Sequence, residues 1–444
     1  MPLRSNLGSP ERIQRQVERS YARSRRARSD RVTRNGEPSL AHLIPRARSF
    51  ARHLAREIRS GAWSPSPVTT RLARLDKPRE ISVFRTTDHV VQYVFAELLF
   101  ERMLPLLPDC LHSFRKKRSN WTATRLFARY VRSHVRCHPD PRDRGLYVLR
   151  VDVASYGDSI PMGDDAPLWD QLTELLELDG AADEMRLLRS LVRPPVLVFD
   201  GSVSVPERGI ATGSPVGTAI ANLYLIGVDR ELAAIPGAFF ARYGDDMLFA
   251  HESHIVVEAA KSLLESRLTE LGLQANRAKE RVFYFNGAGR RSHLRPDLSG
   301  STHLRYLGCR IDFRGVVGLS DDKCEEVLLD VTRRIRRTAA LCLGRTTAER
   351  AGLLSYVANA ALDPSAPGAN KWSAALRGAV TDRGQLETLD RSIARILAEV
   401  LSGRTGCRAF RYIPYRDLRR SYGLRSLVVG RNGRGGRSRS GGMR

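Results

Sequence analysis

An α+β fold is predicted for this chain of 444 residues, with strands concentrated in the middle and helices after them. Three observations carry that prediction. Phe239-Phe240-Ala241-Arg242-Tyr243-Gly244-Asp245-Asp246-Met247-Leu248-Phe249-Ala250 reads as strand, turn, strand, because apolar and aromatic residues flank a Gly-Asp pair suited to a tight hairpin. Leu146 to Ile160 is a β-rich run that delivers Asp152 to a strand end. From Ser320 onward, apolar residues recur at helical spacing. Adjacent carboxylates at the tip of an apolar hairpin repel each other unless a cation shares them, and hard divalent ions take carboxylate oxygens. Asp245 and Asp246 therefore call for a metal, although an Asp-rich turn taken alone fits solvated turn chemistry equally well.

The elements follow in order. Residues 1–35 form a basic arm with Arg12, Arg15, Arg19, Arg23, Arg25, Arg26 and Arg28, either a segment that turns helical on nucleic acid or a disordered solubilising leader. Within residues 36–64, Leu40, Leu43, Ile44, Phe50, Leu54 and Ile58 fall near helical spacing, and Pro65 and Pro67 are expected to end that element. Ser320 with Asp321 and Asp322 predicts a helix start, followed by an apolar face of Cys324, Val327, Leu328, Val331 and Ile335. Thr346 and Glu349 have capping-box spacing, and a last helix is expected over about residues 386–401. The tail, residues 426–444, is rich in Gly, Arg and Ser and resembles a flexible RGG-type segment that raises RNA affinity.

Composition narrows the partner. The chain has 73 Lys+Arg against 48 Asp+Glu, a net charge of +25, which favours a polyanion such as nucleic acid. A membrane role is disfavoured by the lack of an apolar run of about 18 residues, and the first residues lack an apolar signal core, so a cytoplasmic location is expected. Six cysteines without a Cys-x-x-Cys pair argue against a disulfide framework or zinc knuckle, and His134, Cys137 and His138 read as structural or surface residues.

Three motifs in order then carry a resemblance. Asp152, Tyr156, Asp158, Ser159 and Ile160 form the first, and Gly209, Gly213, Pro215, Ala221, Asn222, Tyr224 and Leu225 the second; Tyr243-Gly244-Asp245-Asp246 is the third. Together they resemble the palm of bacterial reverse transcriptases, the group of intron, retron and abortive-infection enzymes. Asp76 to Val83 with Asp88 to Gln92 looks like the family's fingers segment, and His112 to Ser119 like its template-side element. Leu271 to Lys279 is similar to a downstream segment ending in Lys, and His303 to Gly308 to the primer-grip hairpin.

The resemblance implies a right-hand polymerase: fingers over 65–150, a palm with a ferredoxin-like sheet over 151–315, and an α-helical thumb over 316–425. It implies an RNA-directed DNA polymerase with Asp152, Asp245 and Asp246 as catalytic residues and two Mg2+ ions, Mn2+ being able to substitute. Asp152, Asp245, Asp246 and the Val153 carbonyl would be the metal ligands, Asp246 the weaker or less direct one. Lys77, Arg79, Gly157, Thr212, Gly213 and Lys279 would meet the nucleotide, Lys279 as a proton donor to pyrophosphate or as a plain surface lysine. Arg115, Arg118, Arg333 and Arg337 would meet nucleic acid, the last two from a basic thumb face for which a plain solvated face is the alternative. The expected partners are an RNA template, a nucleic-acid primer, dNTPs and, as a further candidate, a cognate noncoding RNA.

Departures from the family pattern keep alternatives open. Gly157 stands where the family carries a bulky aromatic under the ribose 2′-position, Thr212 replaces a Gln, and Gly217-Thr218 replaces Ser/Thr-Pro. Thr212-Gly213, Thr218 and Asn222 are reminiscent of viral RNA replicases. Relaxed sugar or template dependence is one alternative and a catalytically inactive RNA-binding protein another, the intact aspartates arguing against the second. The absence of RNase H, integrase and intron-endonuclease signatures places the nearest resemblance among reverse transcriptases linked to antiphage defence.

Overall fold

The computed structural model describes residues 3–26, 39–73, 79–140, 145–198 and 200–428. Two compact units divide them, the first made of residues 1–117 and 148–282, the second of 118–147 and 283–444. The chain thus leaves the first unit and returns to it before Asp152. These boundaries do not coincide with the linear divisions at 150 and 315.

In the first unit the described part of the basic leader, residues 3–26, is folded. Pro10–Arg26 is a helix that buries Ile13 and Val17, while Arg12 pairs with Glu101 at 2.8 Å and Arg19 with Glu97 at 2.9 Å. Arg23 lies 4.2 Å over the Tyr93 ring. Arg28 and the side chains of Arg25 and Arg26 fall outside the described residues. The next long helix, Ala47–Ser60, buries Ala51, Leu54, Ala55 and Ile58 against Pro10–Arg26 and stops at Gly61, whose φ of 81° is the left-handed C-terminal signal. That glycine ends the element, ahead of the expected prolines.

Strands β1 (Thr69–Ala73) and β2 (Arg79–Val83) form an antiparallel ribbon, followed by the buried helix Thr86–Met103. β3 (Leu146–Asp152) lies beside the hairpin of β4 (Phe239–Tyr243) and β5 (Asp246–His251), in the order β4-β5-β3. Buried residues on β3 and β5, such as Val148, Val151, Leu248 and Phe249, explain the near-continuous apolar runs in the sequence. Helices Gly217–Leu223 and Ile226–Ala233 fill the interval before β4.

In the second unit β6 (His303–Tyr306), β7 (Cys309–Asp312) and β8 (Val317–Leu319) make an antiparallel meander. The helix Asp321–Ala340 packs on Thr347–Ala361 and Arg383–Ser402, burying Val327, Val331 and Ile335 with Leu354, Leu389, Ile393 and Leu397. Cys324 and Leu328 are only half-buried. Ser320 does not cap the helix through its side chain; its hydroxyl donates to the Gly308 carbonyl. Thr346 and Glu349 form a reciprocal capping box. Buried Asp390 accepts the Leu427 N–H at 2.9 Å, so the first residues of the expected flexible tail are held to the fold; residues 429–444 lie outside the described residues. Among the described residues no helix is long and apolar enough to cross a membrane.

Candidate active site

Asp245 sits in a two-residue turn, with Tyr243 opposite Asp246 in the ladder. Gly244 at the first turn position has φ +67° and Asp245 is not left-handed, the pattern of a II′ hairpin that a glycine allows. Asp152 ends the neighbouring strand β3. Immediately after it the chain turns sharply through Ser155, a non-glycine residue at φ 44°, a backbone strain of the kind that clusters at functional sites.

A second strand-like segment closes the site from the other side. Val153 bridges Ala275, with Asn276 N–H donating to the Asp152 carbonyl at 2.7 Å and Ala154 N–H to the Gln274 carbonyl at 2.9 Å. This ladder does not use the Val153 carbonyl, and it brings the Lys279 ammonium onto the Asp152 carboxylate.

The electrostatics of the two turn aspartates differ. Burial, then the neighbouring Asp152 charge, pushes the Asp245 carboxyl up to about 6. Burial also raises Asp246, but the Arg150 guanidinium opposes it with two hydrogen bonds, Nη2 to Oδ2 at 2.7 Å and Nε to Oδ1 at 3.2 Å. The hydrogen bond to Asp152 raises the Lys279 ammonium. Converging carboxylates, one of them held up by burial and then by its anionic neighbour, form an oxygen donor set that fits hard divalent cations.

Beneath the turn lies a polar hub that the sequence did not announce. Arg242 is fully buried and donates through Nε and Nη2 to both Asp229 oxygens at 2.6 Å, through Nη2 to the Asn222 carbonyl at 3.1 Å, and through Nη1 to the Gly244 carbonyl at 3.0 Å. The Asn222 amide in turn clamps Ser113, accepting from its hydroxyl and donating to its carbonyl. Tyr156, also buried, donates its hydroxyl to the Ala221 carbonyl at 2.6 Å. Helix Gly217–Leu223 is thereby the point at which the three motifs and the His112 to Ser119 segment meet. The only sequence signal was an arginine inside an apolar strand and an aspartate inside an apolar helix.

The glycine loop is tied to β2, since Ser82 N–H donates to the Thr212 carbonyl at 2.8 Å and a Cβ on Gly213 would come within 3.0 Å of Ile81. Gln92 braces the same loop, accepting from Ser214 and donating to the Leu191 carbonyl. Gly157 is exposed, lacks a left-handed backbone, and has no atom within 4 Å of where its Cβ would stand. Lys77 and the Arg79 side chain lie outside the described residues. Arg115 donates to the Pro108 carbonyl at 2.7 Å and is mostly covered, Arg118 is half-buried, and Arg333 and Arg337 are exposed.

Residues 70–311, more than half the chain, match the family model described as reverse transcriptase (RNA-dependent DNA polymerase). The chain belongs to the reverse transcriptase family. One relative, the retron Mx65 reverse transcriptase of Myxococcus xanthus, is 33% identical over 91 residues, which are 20% of this chain and 21% of that protein. The match therefore spans about a fifth of that relative's length. Among solved structures, telomerase from Candida albicans in complex with the TWJ fragment of telomeric RNA aligns with a TM-score of 0.50 and 11% identity, over 86% of this chain and 69% of that one. That likeness concerns the fold, and this reverse transcriptase has the mixed helix-and-sheet, right-hand polymerase architecture. Reverse transcriptases use divalent metal ions, which agrees with the donor set at Asp152, Asp245 and Asp246.

Proposed function

We propose that this chain is an RNA-directed DNA polymerase that extends a nucleic-acid primer on an RNA template with dNTPs. The observation that carries the reading is the convergence of Asp152, Asp245 and Asp246 at adjoining strand ends, with Lys279 on one and Arg150 on another. Asp152 and Asp245, with the Val153 carbonyl, are the residues to hold two Mg2+ ions; Asp246, engaged by Arg150, contributes less directly. Bound divalent ions would supply charge stabilisation for in-line attack of a 3′-oxygen on the nucleotide phosphate. The chain's own residues orient and balance charge around that step. Lys279 carries a proton at Nζ beside the carboxylates and is placed to pass it to departing pyrophosphate. Lys77, Arg79, Thr212 and Gly213 are assigned to the nucleotide, Arg115, Arg118, Arg333 and Arg337 to the strands. The test is primer extension on matched RNA and DNA templates with dNTPs, with Mg2+, with Mn2+ and with chelator. Chelator-sensitive extension of the RNA-templated primer is expected, and extension that survives chelation contradicts the reading.

Gly157 favours a second element, weak discrimination against ribonucleotides. Tyr156 is anchored away by its hydrogen bond to Ala221, so no side chain fills the space, and the ordinary backbone at Gly157 means the glycine is not required by the turn. Gly157→Phe is expected to depress kcat/KM for NTPs selectively, and an equal loss for NTPs and dNTPs would refute the open position. A role in antiphage defence, inferred from the sequence resemblance, is checked by phage plating with wild type and Asp245→Asn.

A further inference from the structure

The helix Ala47–Ser60 carries Arg48, Arg52 and Arg56 at i, i+4 and i+8, so the three guanidinium groups rise from one side along about 12 Å of axis. All three are exposed, and among the described residues none has a hydrogen-bond or ion-pair partner for its side chain. The adjoining helix Pro10–Arg26 treats its arginines differently: Arg12 and Arg19 are consumed by Glu101 and Glu97. Two arginines of Pro10–Arg26 are thus neutralised by carboxylates at the surface, while Arg48, Arg52 and Arg56 are not.

The exposed row is placed where a helix alone disfavours it. Like charges at i, i+4 repel, twice over in this row. The first turn has no acidic residue, yet Arg46 and Arg48 stand at the positive end of the dipole. The helix's one carboxylate, Glu57, lies 3.4 Å from His53. A bound polyanion would reverse the sign of each of these costs.

We propose that this face binds the phosphodiester backbone of a base-paired nucleic-acid stem. Arginine forks match phosphate oxygens, and contacts to backbone position a strand without reading its sequence. Pairing is favoured because unpaired strands are held on stacking aromatics, and the face exposes no Phe, Tyr or Trp, Phe50 being half-buried. The helix lies outside the family match at 70–311.

The test uses the full chain with Arg48, Arg52 and Arg56 all changed to Gln. Probes are a blunt RNA hairpin, a DNA hairpin of the same sequence and an unpaired RNA of equal length, titrated across salt. Each lost phosphate contact removes about 0.7–0.9 from the slope of log affinity against log salt, so the hairpin slope should become shallower by about 2 to 3, with a smaller change for unpaired RNA. An effect confined to the RNA hairpin assigns an A-form stem, and an effect on both hairpins assigns duplex backbone generally; either supports the proposal. An unchanged hairpin slope overturns it. So does an equal change from Arg186→Gln, Arg295→Gln and Arg383→Gln combined, a control removing three arginines that already pair with carboxylates. Extension of a short template–primer that has no hairpin beyond the annealed primer, run alongside, reports on Asp152 and Asp245 separately, so failure of the polymerase reading cannot be mistaken for failure of this one.

Discussion

Two tight hairpins, one in each unit, solve the same backbone problem in opposite ways. The β4–β5 turn uses Gly244 at φ +67° and then Asp245, while the β6–β7 turn places both Leu307 (φ 49°) and Gly308 (φ +79°) in the left-handed region. No atom lies within 4 Å of a Cβ on Gly244, but a Cβ on Gly308 would stand 2.4 Å from the Trp372 ring. Both turn carbonyls are fixed, Gly244 by the buried Arg242 guanidinium and Gly308 by the Ser320 N–H and hydroxyl. The first turn is held from behind and stays open in front, where its carboxylates stand. The second is closed by packing and serves stability.

The largest expected effect breaks the support behind the open turn. Arg242→Met leaves Asp229 as an uncompensated buried charge and should cost about 3–5 kcal/mol in a thermal or urea melt. Adding Asp229→Leu removes that charge and should recover most of the loss. The Gly244 carbonyl then stays without its donor, so nucleotide incorporation by the double variant should remain about 10- to 100-fold low while RNA affinity is kept. Full activity in the double variant would show that the hub serves folding alone.

Next come the two glycines. Gly308→Ala drives a methyl into Trp372 at a left-handed position and should destabilise by about 1–3 kcal/mol, with incorporation per folded molecule unchanged. Gly244→Ala meets no neighbour, so only the backbone cost of about 1 kcal/mol is expected, yet incorporation should fall because the aspartates shift. Reversed outcomes, a silent Gly244→Ala and an inactivating Gly308→Ala, would break the contrast. The smallest effect calibrates the backbone cost itself. Lys117 is an exposed non-glycine residue at φ 63°, and Lys117→Gly should stabilise by roughly 0.5–1 kcal/mol in the same melts.

What the sequence reveals is local. Tyr243 to Asp246, the strand end at Asp152, the glycine loop and the Thr346 capping box are each written within a few residues, where periodicity and turn chemistry act. The pairings that hold the site lie far apart in sequence. Arg150 reaches Asp246 across 96 positions and Asn222 reaches Ser113 across 109, so only a charge inside an apolar run hinted at them. The leader misleads for a related reason: its many arginines mask Ile13 and Val17, whose burial makes the segment part of the fold.

We propose that the open turn carries metal-dependent nucleotidyl transfer. Single-turnover incorporation of one dNTP on an RNA template tests it most directly, comparing wild type with Asp245→Asn at equal bound RNA. We expect a loss on the order of 10³-fold with template–primer affinity within about twofold, because the carboxylate acts in the transition state and the basic surface holds the strand. Incorporation by Asp245→Asn at the wild-type rate would contradict the account.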